Sequence, residues 1–202
     1  QFLVFETPLS EIGFRLLLVA LTVLVVIKLM KWRLPDWKII GYTFGGLAYI
    51  SLSWGLMMSL YNYFDGNENE KGWLLPMIII ATIWINDTMA YLVGSFIGRT
   101  PFSPISPKKT WEGTAGGAIL AVAVVSCAGV YWLQLPLIQL LLITITSAVI
   151  GTLGDLLESK LKRMAGVKDS GSFMPGHGGF LDRFDSLLLA VPYVWLVLFL
   201  FG

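Results

Sequence analysis

Charge is scarce in this chain. Of its 202 residues only 13% are Asp, Glu, Lys or Arg, and 56% are hydrophobic. That balance lies outside the composition of soluble domains and points to an integral membrane protein. Cysteine is almost absent. Cys127, the only one, sits in an apolar run and reads as a small hydrophobe, which excludes a redox centre or a thiolate ligand set. Histidine is equally rare: His177 has no second His and no Cys nearby, so a zinc site is not indicated. There is no internal repeat, no low-complexity tract and no visible signal peptide. The chain starts at Gln1 instead of Met, and the expectation is a fragment that lacks an N-terminal part.

Long uncharged runs are what the sequence has. Ile39 to Phe64 and Gly113 to Gly154 contain no ionisable acid or base of the Asp, Glu, Lys, Arg set. A membrane crossing takes about 20 mostly apolar residues. The runs predict an all-α polytopic membrane protein with about six transmembrane helices: Ile12–Met30, Ile39–Leu60, Trp73–Ile97, Thr114–Leu133, Leu137–Gly154 and Ser186–Gly202. Two membrane helices fall in residues 1–72, and the remaining four, with the polar motifs, in a catalytic membrane region 73–202.

The few charges are unevenly placed. Twelve of the 14 Lys and Arg belong to one set of segments: Lys28, Lys31, Arg33 and Lys38; Arg99, Lys108 and Lys109; Lys160, Lys162, Arg163, Lys168 and Arg183. Only Arg15 and Lys71 belong to the other. The positive-inside bias predicts Gln1 outside and the three basic segments in the cytoplasm. A polar insertion over 155–185 then faces the cytoplasm before the last helix. The spacings Ala90-x3-Gly94-x3-Gly98, Gly113-x3-Gly117 and Gly41-x3-Gly45 place small residues on one helix face and predict ordinary close helix contacts.

Residues 151–164, "GTLGDLLESKLKRM", read as a helix. At 100° per residue Asp155, Glu158, Ser159, Lys162 and Arg163 share one face. A solvated amphipathic helix in the membrane interface accounts for that stretch alone. The following "GVKDSGSFMPGHGG" is a glycine-rich loop, of the kind that brings backbone N–H groups to a phosphate. "LDRFDS" then starts the last helix, with Asp182 and Asp185 on one face near its N-terminus. Helix capping explains one of these acids, but not Asp155, Asp169 and His177 as well. Five acids and five bases within 155–185 suit a metal–phosphate site, with carboxylates on Mg2+ and Lys or Arg on phosphate oxygens. Upstream, Asp87 lies within an apolar run, where an acid is costly and marks function by default; a structural hydrogen bond to a neighbouring helix is the other reading. "SPISPKKTWEG", 103–113, reads as a proline-broken basic loop. Lys108 and Lys109 either mark the inner side or, with Ser106 and Thr110, hold an anionic headgroup or a triphosphate.

These residues resemble a known family. Ser159 to Asp185, "SKLKRMAGVKDSGSFMPGHGGFLDRFD", is similar to the signature of the phosphatidate cytidylyltransferases, or CDP-diacylglycerol synthases, through Ser159, Lys162-Arg163, Lys168-Asp169, Pro175 to Gly179, Asp182-Arg183 and Asp185. "DTMAY" and "SPKKTWEG" are similar to upstream motifs of that family. The resemblance implies cytidylyl transfer from CTP to phosphatidate, with CDP-diacylglycerol and pyrophosphate as products. It implies Mg2+ as cofactor, held by Asp155 and Asp182 with Asp185 and Asp87 as further candidates. Lys162 and Arg163 are then catalytic. Ser159, Lys108, Lys109, Lys168, Arg183, Gly178 and Gly179 line the substrates, and His177 shapes the loop. The substrates and the lipid bilayer are the expected partners, with no nucleic acid; a second cation and a homodimer stay open. The expected place is a bacterial inner membrane with the site facing the cytoplasm. The family's members usually have more than six membrane helices, in line with a missing N-terminal part. Two other readings stay open. A CTP-dependent lipid kinase or an archaeal-type CDP-lipid synthase would use a similar site. An ion-coupled transporter would use Asp87 and Asp155 as intramembrane ligands, although polar residues gathered at one face do not line a path across the bilayer.

Overall fold

The structure is a computed structural model and describes residues 37–61, 63, 72–103, 105–171, 179 and 181–201. Five helices make up most of it: α1 (Trp37–Leu60), α2 (Leu74–Ile97), α3 (Trp111–Leu133), α4 (Leu137–Met164) and α5 (Leu181–Phe201). Each contains a stretch long and apolar enough to cross a membrane, and the chain is an integral membrane protein. The expected helix over Ile12–Met30 lies outside the described residues. The chain divides into two compact units, Gln1–Gly46 and Leu47–Gly202. The second unit carries every motif singled out from Asp87 onward.

Two expectations are corrected. The stretch 103–113 is not an irregular loop. Strands β1 (Pro101–Ser103) and β2 (Ser106–Thr110) pair antiparallel, with Pro101 opposite Thr110 and Ser103 opposite Ser106. Pro104 falls between the strands, and Pro107 needs no ladder N–H at a hairpin's open edge. The second correction concerns Gly154, which does not end a helix. α4 runs without a break for 28 residues, about 42 Å at 1.5 Å per residue. That exceeds an apolar core of about 30 Å, so the charged stripe of the polar insertion begins on the same rod that crosses the membrane. No proline or cap residue follows Gly154. The helix closes instead at Gly166, with φ of 71°. There Val167 N–H donates to Lys162 O and Gly166 N–H to Arg163 O, the paired bonds of a Schellman turn.

Glycine sets the helix spacing. A Cβ on Gly113 would lie 2.6 Å from Ala90 O, and one on Gly117 2.6 Å from Ala90 N. The small-residue spacings of α2 and α3 are thus a backbone-to-backbone contact, as their spacing predicts. A Cβ on Gly154 would lie 2.8 Å from Asp185 O and 3.1 Å from Ser186 Cα. The acid-bearing parts of α4 and α5 therefore touch. The apolar core includes Leu75 and Ile79 of α2, Leu140 and Ile143 of α4, and Val191 and Val194 of α5.

Several buried hydroxyls in the core are paired. Ser126 and Thr144 hydroxyls meet at 3.2 Å across α3 and α4. Pro192 lies inside α5. It has no N–H, so the carbonyl of Leu188 one turn earlier loses its helical donor. Ser53 Oγ of α1 donates to that carbonyl at 2.5 Å, which resolves the cost of an unpaired group in an apolar medium.

Candidate functional site

The polar stripe of α4 is built as the 100° rule predicts, and its partners come from other elements. Lys109, on β2, forms an ion pair with Asp155 Oδ2. Ser159 Oγ, one turn on, donates to Asp155 Oδ1 at 3.3 Å. Thr110 holds this strand end in place: its hydroxyl accepts from Gly113 N–H at 3.1 Å and caps α3. Glu112 accepts from the backbone N–H groups of Arg99 and Thr100 at 3.2 Å, which ties the C-terminal exit of α2 to the start of α3.

A second cluster lies further along the stripe. Lys162 Nζ donates to Glu158 Oε2 at 3.2 Å and to Asp182 Oδ1 at 2.6 Å. Asp182 Oδ2 accepts three more bonds, from Ser170 N–H at 2.9 Å, Ser170 Oγ at 2.8 Å and Gly179 N–H at 2.6 Å. The carboxylate therefore fastens the segment after α4 to the first turn of α5, where the helix dipole also favours it. Gly179 is required by this closeness: a Cβ there would lie 2.6 Å from Gly171 N and closer still to Ser170 Oγ. Asp185 accepts from Ser186 N–H at 2.6 Å and lies within electrostatic reach of Glu158 and Asp155. Glu158 is 6% exposed, and its Oε1 has no hydrogen-bond partner among the described residues.

The first cluster borders a pocket, through Lys109 and Asp155. It encloses about 490 Å³ and is walled by α2 (Asn86, Asp87, Tyr91, Ser95), the hairpin (Ser106, Lys108, Lys109, Thr110) and α4 (Thr152, Asp155). Asp87 interacts electrostatically with Lys109, Asp155 and Asp185. The structure thus brings Asp87, Lys108, Lys109 and Asp155 to the pocket, with Ser159 bonded to Asp155, and gathers Lys162, Asp182, Ser170 and Gly179 in a separate network. Arg163 and Lys168 are solvent-exposed with no ion pair among the described residues. Arg183 lies in the first turn of α5. Gly176, His177 and Gly178 lie outside the described residues. Among the described residues no group of three or more His, Cys, Asp or Glu is arranged to hold a metal ion.

Sequence reasoning passed over Asn86, Thr152 and Ser170. Asn86 stands beside Asp87 in the same apolar run and carries the same signal, a polar group where one is costly. Thr152 and Ser170 carry none: small hydroxyl residues are common in helices and loops, and only the fold gives them partners.

Comparison with known proteins places the chain in a family. The sequence model of the cytidylyltransferase family matches residues 2–201. The phosphatidate cytidylyltransferase of Bacillus subtilis is 43% identical over 165 residues, which cover 80% of this chain and 61% of that protein. That of Synechocystis is 44% identical over 129 residues, 61% of this chain and 43% of the relative. Phosphatidate cytidylyltransferase 4, chloroplastic, of Arabidopsis thaliana is 42% identical over 164 residues, 78% and 42% of the two lengths. The chain spans less than two thirds of each of these relatives.

Proposed function

The chain belongs to the cytidylyltransferase family, and on that premise we propose that it transfers the cytidylyl group of CTP to phosphatidate, with CDP-diacylglycerol and pyrophosphate as products. The observation that carries this reading is the pocket between α2, the hairpin and α4, with Lys108 and Lys109 on one wall and Asp87 and Asp155 on the others. Two anionic substrates must approach each other there, and cations have to screen them.

In the proposed reaction an oxygen of the phosphatidate phosphate attacks the α-phosphorus of CTP. The new P–O bond forms as the bond from the α-phosphorus to the bridging oxygen breaks, and pyrophosphate leaves with that electron pair. No side chain has to take a proton, since a phosphate monoester is largely ionised near neutral pH. Lys108 and Lys109 neutralise phosphate oxygens, and Ser106, Thr110 and Ser159 donate hydrogen bonds to them. Lys162 and Arg163 serve the pyrophosphate side.

Oxygen-only donors suit a hard cation, and Mg2+ takes one or two protein carboxylates with substrate phosphates completing its shell. The acids around the pocket fit that requirement. We assign Mg2+ to Asp155, with Asp87 and Asp185 beside it; Asp182 joins only on release from Lys162. When bound, the ion supplies positive charge to the phosphate oxygens. The charge bias supports a site facing the cytoplasm of a bacterial inner membrane. A homodimer is compatible with this reading and is not needed by it.

Label transfer tests the proposal. The detergent-solubilised chain, given phosphatidate, Mg2+ and CTP labelled in the α-phosphate, should yield labelled lipid, and chelation by EDTA should stop it. With CTP labelled in the γ-phosphate the lipid should stay unlabelled. Label from the γ-phosphate in the lipid would establish a CTP-dependent kinase instead.

A further inference from the structure

The pocket wall holds one acceptor that the proposed phosphate chemistry leaves unused. Asn86 is 2% exposed. Its Nδ2 donates to Thr152 Oγ1 at 3.2 Å. Thr152 cannot return a proton, because its hydroxyl already donates to Ala148 O at 2.9 Å. This fixes the carboxamide orientation: the nitrogen faces Thr152, and Oδ1 is turned away from it. Oδ1 then has no donor among the described residues and is shielded from solvent. An enclosed acceptor without a partner is costly, and native structures seldom leave one without a reason.

The neighbours of Asn86 narrow what that reason is. The hairpin wall supplies donors: Lys108, Lys109, Ser106 and Thr110. Such a wall takes phosphates, which near neutral pH mainly accept hydrogen bonds. The α2–α4 wall is of the opposite kind, with the Asn86 acceptor next to Asp87 and Asp155. It calls for a ligand group that donates. Of the two substrates proposed above, phosphatidate has no such group beyond its phosphate, since its glycerol hydroxyls are esterified. CTP has the cytosine 4-amino group and the ribose hydroxyls. Of these, only the 4-amino group separates cytosine from uracil, whose oxygen at that position would face Oδ1 acceptor to acceptor.

We propose that Asn86 is a specificity-determining residue: its Oδ1 accepts a hydrogen bond from the 4-amino group of the CTP base, with Thr152 locking the carboxamide in the accepting orientation. Asn86 itself is one of the residues that line the pocket. The triphosphate then runs from the α2–α4 wall toward Lys108 and Lys109, and the α-phosphorus passes Asp155. Discrimination follows from the physics of unpaired groups. A site built to bond a substrate N–H rejects the analogue that lacks it, because the site's own buried group is left alone. This inference rests on the proposed function.

The test is equilibrium binding, which does not depend on turnover. The intact chain in detergent with Mg2+ is titrated with CTP, UTP and the 4-dimethylamino analogue of CTP, which keeps the base but has no 4-amino hydrogen. UTP and the analogue are expected to bind roughly tenfold or more weakly than CTP, the scale of one enclosed hydrogen bond. In Asn86→Leu the CTP-to-UTP ratio should fall to near one, whatever the absolute affinities. Equal binding of CTP, UTP and the analogue by the unaltered chain would overturn this assignment and leave the transfer reaction standing. So would an Asn86→Leu variant that keeps the unaltered ratio. If Asn86→Leu does not fold, the analogue measurement on the unaltered chain decides alone. A chain that binds none of the three overturns both this assignment and the transferase reading.

Discussion

Asp155 and Asp182 look alike in the sequence, each an acid at the polar end of a membrane helix, yet the structure treats them differently. Asp155 has two side-chain partners, Lys109 and Ser159, and borders the pocket. Asp182 takes four hydrogen bonds, two of them from backbone N–H groups. Backbone donors cannot swing away, so Asp182 is bound into the frame. Lys109 is the end of a flexible stem and can leave Asp155 for a phosphate. One acid is held only by side chains that can move, and the other holds the segment after α4 against α5.

The largest expected effect comes from removing what both acids share. Gly154→Val should abolish transfer and lower the thermal midpoint in detergent by many degrees, because its side chain meets the Asp185 carbonyl and parts α4 from α5. A variant with normal midpoint and activity would show that the two helices do not need this approach.

Next come the acids themselves. Asp155→Asn should cut transfer by about 100-fold or more with the midpoint nearly unchanged. Asp182→Asn should also lose activity, but with a loss of stability, since Lys162 and Glu158 are left almost buried with a charge partner missing; about 3 kcal/mol is the scale for such a break. Equal midpoints for the two variants would erase the distinction between them.

Lys162 and Arg163 are neighbours on one stripe with different surroundings. Lys162→Ala should raise the CTP or phosphatidate requirement and destabilise the fold, because it bonds both Glu158 and Asp182. Arg163→Ala should change the substrate requirement only a few-fold at an unchanged midpoint. Identical kinetic profiles for both variants and the unaltered chain would return the pair to markers of sidedness. The smallest effect belongs to Ser170→Ala. It removes a single donor from Asp182 and should cost about 1 kcal/mol, with the backbone donor of the same residue retained.

Much of this was legible in the sequence. For α1, α2, α3 and α5 the apolar runs gave the crossings to within about five residues, because burial in lipid needs a fixed length of apolar helix. The α4 stripe followed from 100° per residue alone. The hairpin was missed because Pro104 and Pro107 discourage a strand reading, although a two-stranded ribbon can carry proline at its edge. The end of α4 was placed at Gly154 because the uncharged run stops before Asp155, while the helix itself continues to Met164.

Periodicity and composition are properties of neighbours in the chain, so the sequence by itself determined the helices, the bias of charge and which residues share a face. The partners were decided only by tertiary structure. Lys109 meets Asp155 across 46 positions, Asp182 meets Lys162 across 20, and Asn86 meets Thr152 across 66. Those pairings depend on how closely whole helices approach, and the approach depends on Gly113, Gly117 and Gly154 having no side chain. A hydrogen bond needs its atoms within about 3 Å, a demand that local pattern cannot express and that packing alone meets.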